Sequence, residues 1–334
     1  MSTTVAIVLL AGIIAYAIFA GADFGAGFWD LVAGGPERGA RPRAVIEHSV
    51  GPVWEANHVW LIFVFVVLWT SFPEAYASVT LTLFVPLAIA ALGIVLRGAG
   101  FAFRKAVVRL EHRRVFGGAF ALSSVLVPFA LGAIAGGIAS GRVPAGGRAG
   151  DPVDSWINPT SILGGVLAVA AVAYLAAAYL VWDARRLGDP EMAAYFRRRA
   201  VAAAVAVAVI GIIGLFVLRA DAEYVYGELT SRALPVVLVS VAAGVGALVL
   251  LVRDAARGGR LLAVGAVASI VAAWGVAQWP YLLPESLKVS AAAAPDATLT
   301  TVLVVVGLAV LVVVPGFIVL YVLDQRGLLP EEGS

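Results

Sequence analysis

Residues 200–218 read AVAAAVAVAVIGIIGLFVL, a run with no charged or hydrogen-bonding side chain, set between Arg197, Arg198 and Arg199 on one side and Arg219 on the other. At about 1.5 Å per residue a helix of this length matches a bilayer core of about 30 Å. The run has no polar face at either helical or strand period, so its surroundings must be apolar on every side.

The same reading repeats along the chain. Uncharged or nearly uncharged runs cover residues 3–33, 53–71, 76–96, 115–139, 159–182, 200–218, 234–252, 260–279 and 299–323, which predicts nine transmembrane helices. Composition agrees: 62% of the 334 residues are hydrophobic and 13% charged, with a mean hydropathy of +0.98, more apolar surface than a water-soluble chain can hide. The expectation is an all-α integral membrane protein forming a single polytopic domain over 1–334. Cysteine is absent, which excludes disulfides, thiolate metal sites and thiol nucleophiles.

Charge sets the orientation. Arg38, Arg41 and Arg43, then Arg97, Arg104, Lys105, Arg109, Arg113 and Arg114, then Arg185, Arg186 and Arg197 to Arg199, then Arg253, Arg257 and Arg260, and finally Arg326 fall in alternate connections. The other connections hold only Arg142, Arg148, Arg219, Arg232 and Lys288. The positive-inside rule therefore predicts an outer N-terminus and a cytoplasmic C-terminus. The net charge of +2 reflects this topology rather than nucleic-acid binding. No Lys or Arg precedes Arg38, so the first run is read as a retained helix. Trp29, Trp54, Trp69, Trp156, Trp182 and Trp279 lie near predicted helix ends, where interface anchoring accounts for most of them.

Few ionisable groups enter the spans. An Asp at mid-helix costs roughly 2.5 to 3.5 kcal/mol on insertion scales, so Asp23, within Gly21-Ala22-Asp23-Phe24-Gly25-Ala26-Gly27, needs a reason. Small neighbours let another backbone approach and shield the carboxylate; a snorkelling interfacial Asp is the bland alternative. Glu55, Asn57 and His58 open the second span, and a spacing of three puts Glu55 and His58 on one helix face. A desolvated carboxylate and an imidazole both exchange protons near neutral pH, as a proton relay requires, whereas helix capping would explain Glu55 without any function. Glu74, after Pro73, is expected to be solvated. With His48, His58, His112, Met1 and Met192 as the whole inventory of His and Met, at most two histidines are placed to ligate haem, which speaks against a chain that holds several haems by itself, and no phosphate-binding loop, dinucleotide fingerprint or zinc-protease motif occurs.

These blocks resemble subunit II of the cytochrome bd quinol oxidases over essentially the whole chain. Asp23-Phe24-Gly25-Ala26-Gly27 is similar to the Asp-x-Gly-x-Gly segment that ends the family's first helix. Gly51-Pro52-Val53-Trp54-Glu55-Ala56-Asn57-His58-Val59-Trp60-Leu61 is similar to its Gly-Pro-x-Trp-Asp-Gly-Asn-x-Val-Trp-Leu signature. Phe72-Pro73-Glu74-Ala75-Tyr76 resembles the Phe-Pro-x-x-Tyr turn, and Arg97, Phe101, Phe103 and Arg104 resemble the exit from helix three. Trp279 to Pro284, followed by Asp296-Ala297-Thr298, resembles the late external loop. The chain departs from the pattern with Glu55 for Asp, Ala56 for Gly and His58 for Glu or Gln, and it lacks an Asp-Gly before Asp23.

The resemblance implies two four-helix bundles plus a C-terminal helix, in a multi-pass protein of the bacterial inner membrane. It implies a heterodimer in which subunit I carries haem b, haem d and the site that oxidises membrane quinol, while dioxygen is reduced to water and this chain ligates no cofactor. Membrane lipid and membrane quinone are its implied neighbours, and a small accessory subunit is compatible with it. On this basis Asp23 and Glu55 are expected to form a proton-uptake route, joined by His58, whose titratable ring the family pattern lacks, with Asn57, Trp54 and Trp60 supporting. A stand-alone proton-coupled transporter, for which Gly164-Gly165 and Pro315-Gly316 could mark broken helices, and a purely structural scaffold are the competing readings.

Overall fold

A computed structural model of the chain describes the backbone of residues 1–35, 37–50, 54–106 and 110–325; within these, the side chains of residues 50, 54–56, 101–106, 110–116, 317, 320, 321, 324 and 325 are outside the description. In chain order the elements are α1 (Ser2–Leu31), α2 (Ala40–Val50), α3 (Trp54–Ser71), α4 (Pro73–Thr82), α5 (Phe84–Ala106), α6 (Leu110–Ala139) and α7 (Pro159–Arg186). They continue with α8 (Pro190–Asp221), α9 (Glu223–Leu229), α10 (Leu234–Val252), α11 (Gly259–Gln278), β1 (Tyr281–Leu283), β2 (Leu287–Lys288), α12 (Val289–Ala292) and α13 (Asp296–Gln325). Among the described residues, seven helices are long and apolar enough to cross a membrane, or eight if α4 and the first part of α5 form one bent span. The expected second span is represented there by a shorter apolar stretch, Asn57–Ser71.

The third expected span is broken where a straight helix was expected. α4 meets the start of α5 at 85°. Pro86 has no N–H to give the carbonyl of Thr82, so the helical ladder cannot continue through this point. The Thr82 carbonyl instead accepts a hydrogen bond from Ser155 Oγ at 3.4 Å.

α7 lies at the centre of the larger core. Ala173 to Ala178, Leu180, Val181 and Ala184 are buried against Ala26 and Trp29 of α1, Met192, Phe196 and Ala200 of α8, Ala247 and Leu251 of α10, and Ala263 and Val267 of α11. Lipid tails are as apolar as these side chains, so close packing rather than water exclusion must hold such helices together, and small residues permit it. Gly25 is the point of closest approach between α1 and α7. A Cβ there would strike the Val172 carbonyl and come within 2.7 Å of the Ala176 methyl. Trp29 Nε1 donates to the Ala173 carbonyl at 2.8 Å, fixing the same crossing.

The two ends of the molecule are tied differently. At the end rich in arginine, Asp189 caps α8 by accepting from Met192 N–H at 3.0 Å and pairs with Arg41 of the α1–α3 connection at 3.1 Å. The Met192 N–H and the Arg41 guanidinium hold the Asp189 carboxyl below the usual carboxylate range. At the opposite end, Val5, Phe72, Leu83, Val143, Leu283, Leu287, Val289 and Leu299 form a second core beneath the short β-hairpin.

Glu74 is not simply solvated. It accepts from Gly146 N–H at 2.8 Å, while Ser78 and Thr82, one and two turns further along α4, accept from Gly147 at 3.1 Å and Gly150 at 2.9 Å. One face of α4 thus carries a ladder that holds the Gly-rich connection. Replacing Glu74 by alanine is expected to cost about 1 kcal/mol, one net hydrogen bond, and to speed proteolysis within residues 141–154 while leaving membrane insertion intact. Unchanged cleavage would show that the Glu74 contact does not hold the loop.

Candidate functional site

On α1, Tyr16, Ala20, Asp23, Gly27 and Asp30 recur every three or four residues and share one face. Asp23 is buried, only 5% exposed, at a depth where an unpaired carboxylate is costly. Its partner comes from α5. Arg97 Nη2 lies 2.6 Å from Asp23 Oδ1 and donates to the Asp23 carbonyl at 2.9 Å, and Arg97 itself is 1% exposed.

The guanidinium is enclosed on all sides. Its Nη1 donates to Ser124 Oγ of α6, and that hydroxyl donates to the Phe120 carbonyl at 2.7 Å. Its carbon stands 4.9 Å from the Phe24 ring centre and 4.3 Å from that of Phe120, within cation–π range. Two charges taken out of water repay their desolvation only when geometry is good and other hydrogen-bonding atoms are satisfied. Here three helices converge to meet most of that demand. Among the described residues, Asp23 Oδ2, Arg97 Nε and the buried Tyr16 hydroxyl have no hydrogen-bond partner.

His58 of α3 lies beside this cluster. Its ring centre lies 5.8 Å from that of Phe24, edge to face, and 6.3 Å from that of Tyr16. The charges of Asp23 and Arg97 both act on it. Asn57 is half-buried on the same turn, and Trp60 stacks on Phe19 of α1 at 6.2 Å. The structure therefore brings Asp23 and His58 together. The side chains of Trp54 and Glu55 are outside the described residues; their positions begin α3, with Glu55 three residues before His58.

Three participants were not anticipated as site residues. Arg97 stands among the connection charges in the sequence, but α5 continues to Ala106 and keeps Arg97 inside the helical region. Ser124 is an inconspicuous residue in an apolar run. Asp30 lies two turns from Asp23, where its Oδ1 stands 2.6 Å from Nε of Arg43, another residue read only as a topological charge. A repeat of seven through Tyr16, Asp23 and Asp30 was the available signal.

The donor inventory also bears on cofactors. His48 is exposed on α2, His112 is outside the described side chains, and His58 is ringed by Tyr16 and Phe24. Among the described residues no group of three or more His, Cys, Asp or Glu is placed to hold a metal ion.

Comparison with known proteins gives a consistent result. Residues 1–324 match the family model described as cytochrome bd terminal oxidase subunit II. The chain is 29% identical over 211 residues to the cytochrome bd ubiquinol oxidase subunit 2 of Bacillus subtilis, covering 63% of this chain and 61% of that protein. It is 26% identical over 234 residues to the cytochrome bd-I ubiquinol oxidase subunit 2 of Escherichia coli K12, covering 65% and 58%. The matched region thus spans about three fifths of those curated relatives. Among solved structures, the bd oxidase from Geobacillus thermodenitrificans contains a chain that superposes with a TM-score of 0.79 at 25% identity, covering 95% of this chain and 98% of that one.

Proposed function

Because the chain belongs to the cytochrome bd terminal oxidase subunit II family, we propose that it is the haem-free partner of a haem-bearing subunit I, and that it stabilises that subunit and admits protons to it from the cytoplasm. It is a multi-pass membrane protein. The proposed arrangement has nine spans, two four-helix bundles and a final helix, with the N-terminus outside and the C-terminus in the cytoplasm. The alternation of arginine-rich connections supports this orientation.

In the proposed complex the partner subunit would hold haems b and d, which would supply the electron transfer from membrane quinol to dioxygen. Each dioxygen needs four electrons and four protons to become two waters. The protons must cross the cytoplasmic half of the membrane, where an apolar bundle blocks them. The observation that carries the reading is the buried Asp23–Arg97 pair with His58 beside it, charge placed in a wall that packing alone would have left apolar.

Glu55 is assigned to the entrance, His58 to transfer, and Asp23 to electrostatic stabilisation of the proton in transit, because its Oδ1 is committed to Arg97 while Oδ2 is buried with no hydrogen-bond partner among the described residues. Asn57 and Trp54 are assigned to orienting this segment. Replacing Glu55 by glutamine keeps shape and removes the exchangeable carboxyl. In the assembled oxidase, proton uptake during the reaction of reduced enzyme with dioxygen is expected to slow about tenfold, equivalent to about 1.4 kcal/mol of barrier. Wild-type uptake in a fully assembled Glu55→Gln complex would leave this chain as a scaffold.

A further inference from the structure

The pair at Asp23 leaves polar atoms over. Asp23 Oδ2 and the Tyr16 hydroxyl are both buried and, among the described residues, without a partner. They belong to residues seven apart on one helix, two turns and about 10 Å along the axis, and the same interval separates Asp23 from Asp30 toward the arginine-rich end. The charge of Asp23 acts on Tyr16, and the His58 ring lies against the Tyr16 ring. Buried hydroxyls and carboxylate oxygens are costly unless something bonds them, and at a polar site water does so.

We propose that Tyr16 carries the proton route one step further along α1, away from the cytoplasm, through water held between its hydroxyl and Asp23 Oδ2. This rests on the uptake reading above and adds a residue to it. The chemistry balances without a second reactant. A proton carried along a file of water molecules from the Asp23 side is passed to a lone pair of the Tyr16 oxygen while the phenolic O–H proton passes to a further water molecule on the far side, so no net charge stays on the ring. Asp23 remains a carboxylate throughout, fixed by Arg97, and its negative charge stabilises the protonated water as it forms. His58 is the donor from the entrance side. Tyr16 packs its ring against the apolar cluster of Ala20, Phe24, Val127 and Val172, which leaves its hydroxyl as the atom such water would bond.

The test is Tyr16→Phe in the intact oxidase complex, because it removes one oxygen and leaves the ring packed on His58 and Phe24. Haem oxidation is followed optically and proton uptake with a pH-indicator dye in the same reaction. Uptake is expected to slow about fivefold, the rate equivalent of one net hydrogen bond, while the electron-transfer phases that precede it stay unchanged. A residue that only packs would move neither signal. Wild-type uptake in Tyr16→Phe, with Glu55→Gln slow, would overturn the Tyr16 step and leave the uptake route standing. Wild-type uptake in both variants would remove the route and the Tyr16 step with it. A second measurement needs no variant: hydroxyl-radical footprinting of the wild-type complex should modify Tyr16 although its hydroxyl is buried, because radicals form from water bound beside it. An unmodified Tyr16 would also overturn the proposal.

Discussion

Arg97→Ala is expected to prevent accumulation of the assembled complex, whereas Asp23→Leu combined with Arg97→Met should restore assembly without restoring proton uptake. The single change leaves Asp23 buried with no counter-ion, and removing one member of a buried pair costs about 3 to 5 kcal/mol. That is a large part of the 5 to 15 kcal/mol typical of a whole domain. The double change removes both charges and substitutes apolar side chains of similar bulk. Such replacements are often neutral or stabilising, because the desolvation cost disappears with the attraction. Ser124 tolerates the loss, since its hydroxyl still donates to the Phe120 carbonyl. Arg97→Lys should fall between, because an ammonium cannot reach Asp23 and Ser124 together in the planar fork that the guanidinium uses.

The measurement is the yield and thermal midpoint of complex purified from membranes, followed by proton uptake on whatever assembles. A double variant no better than Arg97→Ala would mean that the pair is not the unit its geometry describes. A double variant with wild-type uptake would mean that the charges serve folding alone. The two readouts separate stability from function at one site, which neither single substitution can do.

The parts of this architecture legible in the sequence are those enforced locally. An uncharged run such as 200–218 lies within a single helix of the structure because a bilayer leaves each backbone group no partner outside its own helix. Asp23 and His58 stood out because ionisable groups are rare in such runs. What was illegible depends on distance along the chain. Arg97 and Asp23 are 74 residues apart, and nothing near Arg97 distinguishes a buried counter-ion from the cytoplasmic charges with which it was grouped. The bend at Leu83 had a local cause in Pro86, yet proline in a membrane helix is often accommodated without a break, so the outcome depended on Ser155 reaching the freed carbonyl. The Glu74 contact is illegible for the same reason, its partner being the backbone of a distant loop.

Gly27→Val should also cost both assembly and turnover, by a route that involves no charge. In an ordinary helix interior, replacing glycine by alanine gains about 0.5 to 1 kcal/mol through backbone entropy. Gly211 of α8, with nothing within 4 Å of an added Cβ, should behave this way and serves as the control. At Gly27 an added Cβ would strike Ser124 Oγ, lie 2.6 Å from Ser124 Cβ and come within 2.9 Å of Arg97 Nη1. Those atoms cannot retreat cheaply, because Ser124 is on the α6 backbone and the guanidinium is held between two rings. Overpacking of this kind costs about 1 to 3 kcal/mol, which exceeds the entropic gain and sets the sign even for alanine. Valine adds two methyl groups in the same space and should reach about 3 kcal/mol, the upper end of that range. The strain falls on the bond from Arg97 to Ser124, so whatever complex assembles should take up protons more slowly than the Gly211→Ala control. Equal thermal midpoints and equal uptake for Gly27→Ala and Gly211→Ala would show that α1 and α6 are not in the close register that brings Arg97 to Asp23.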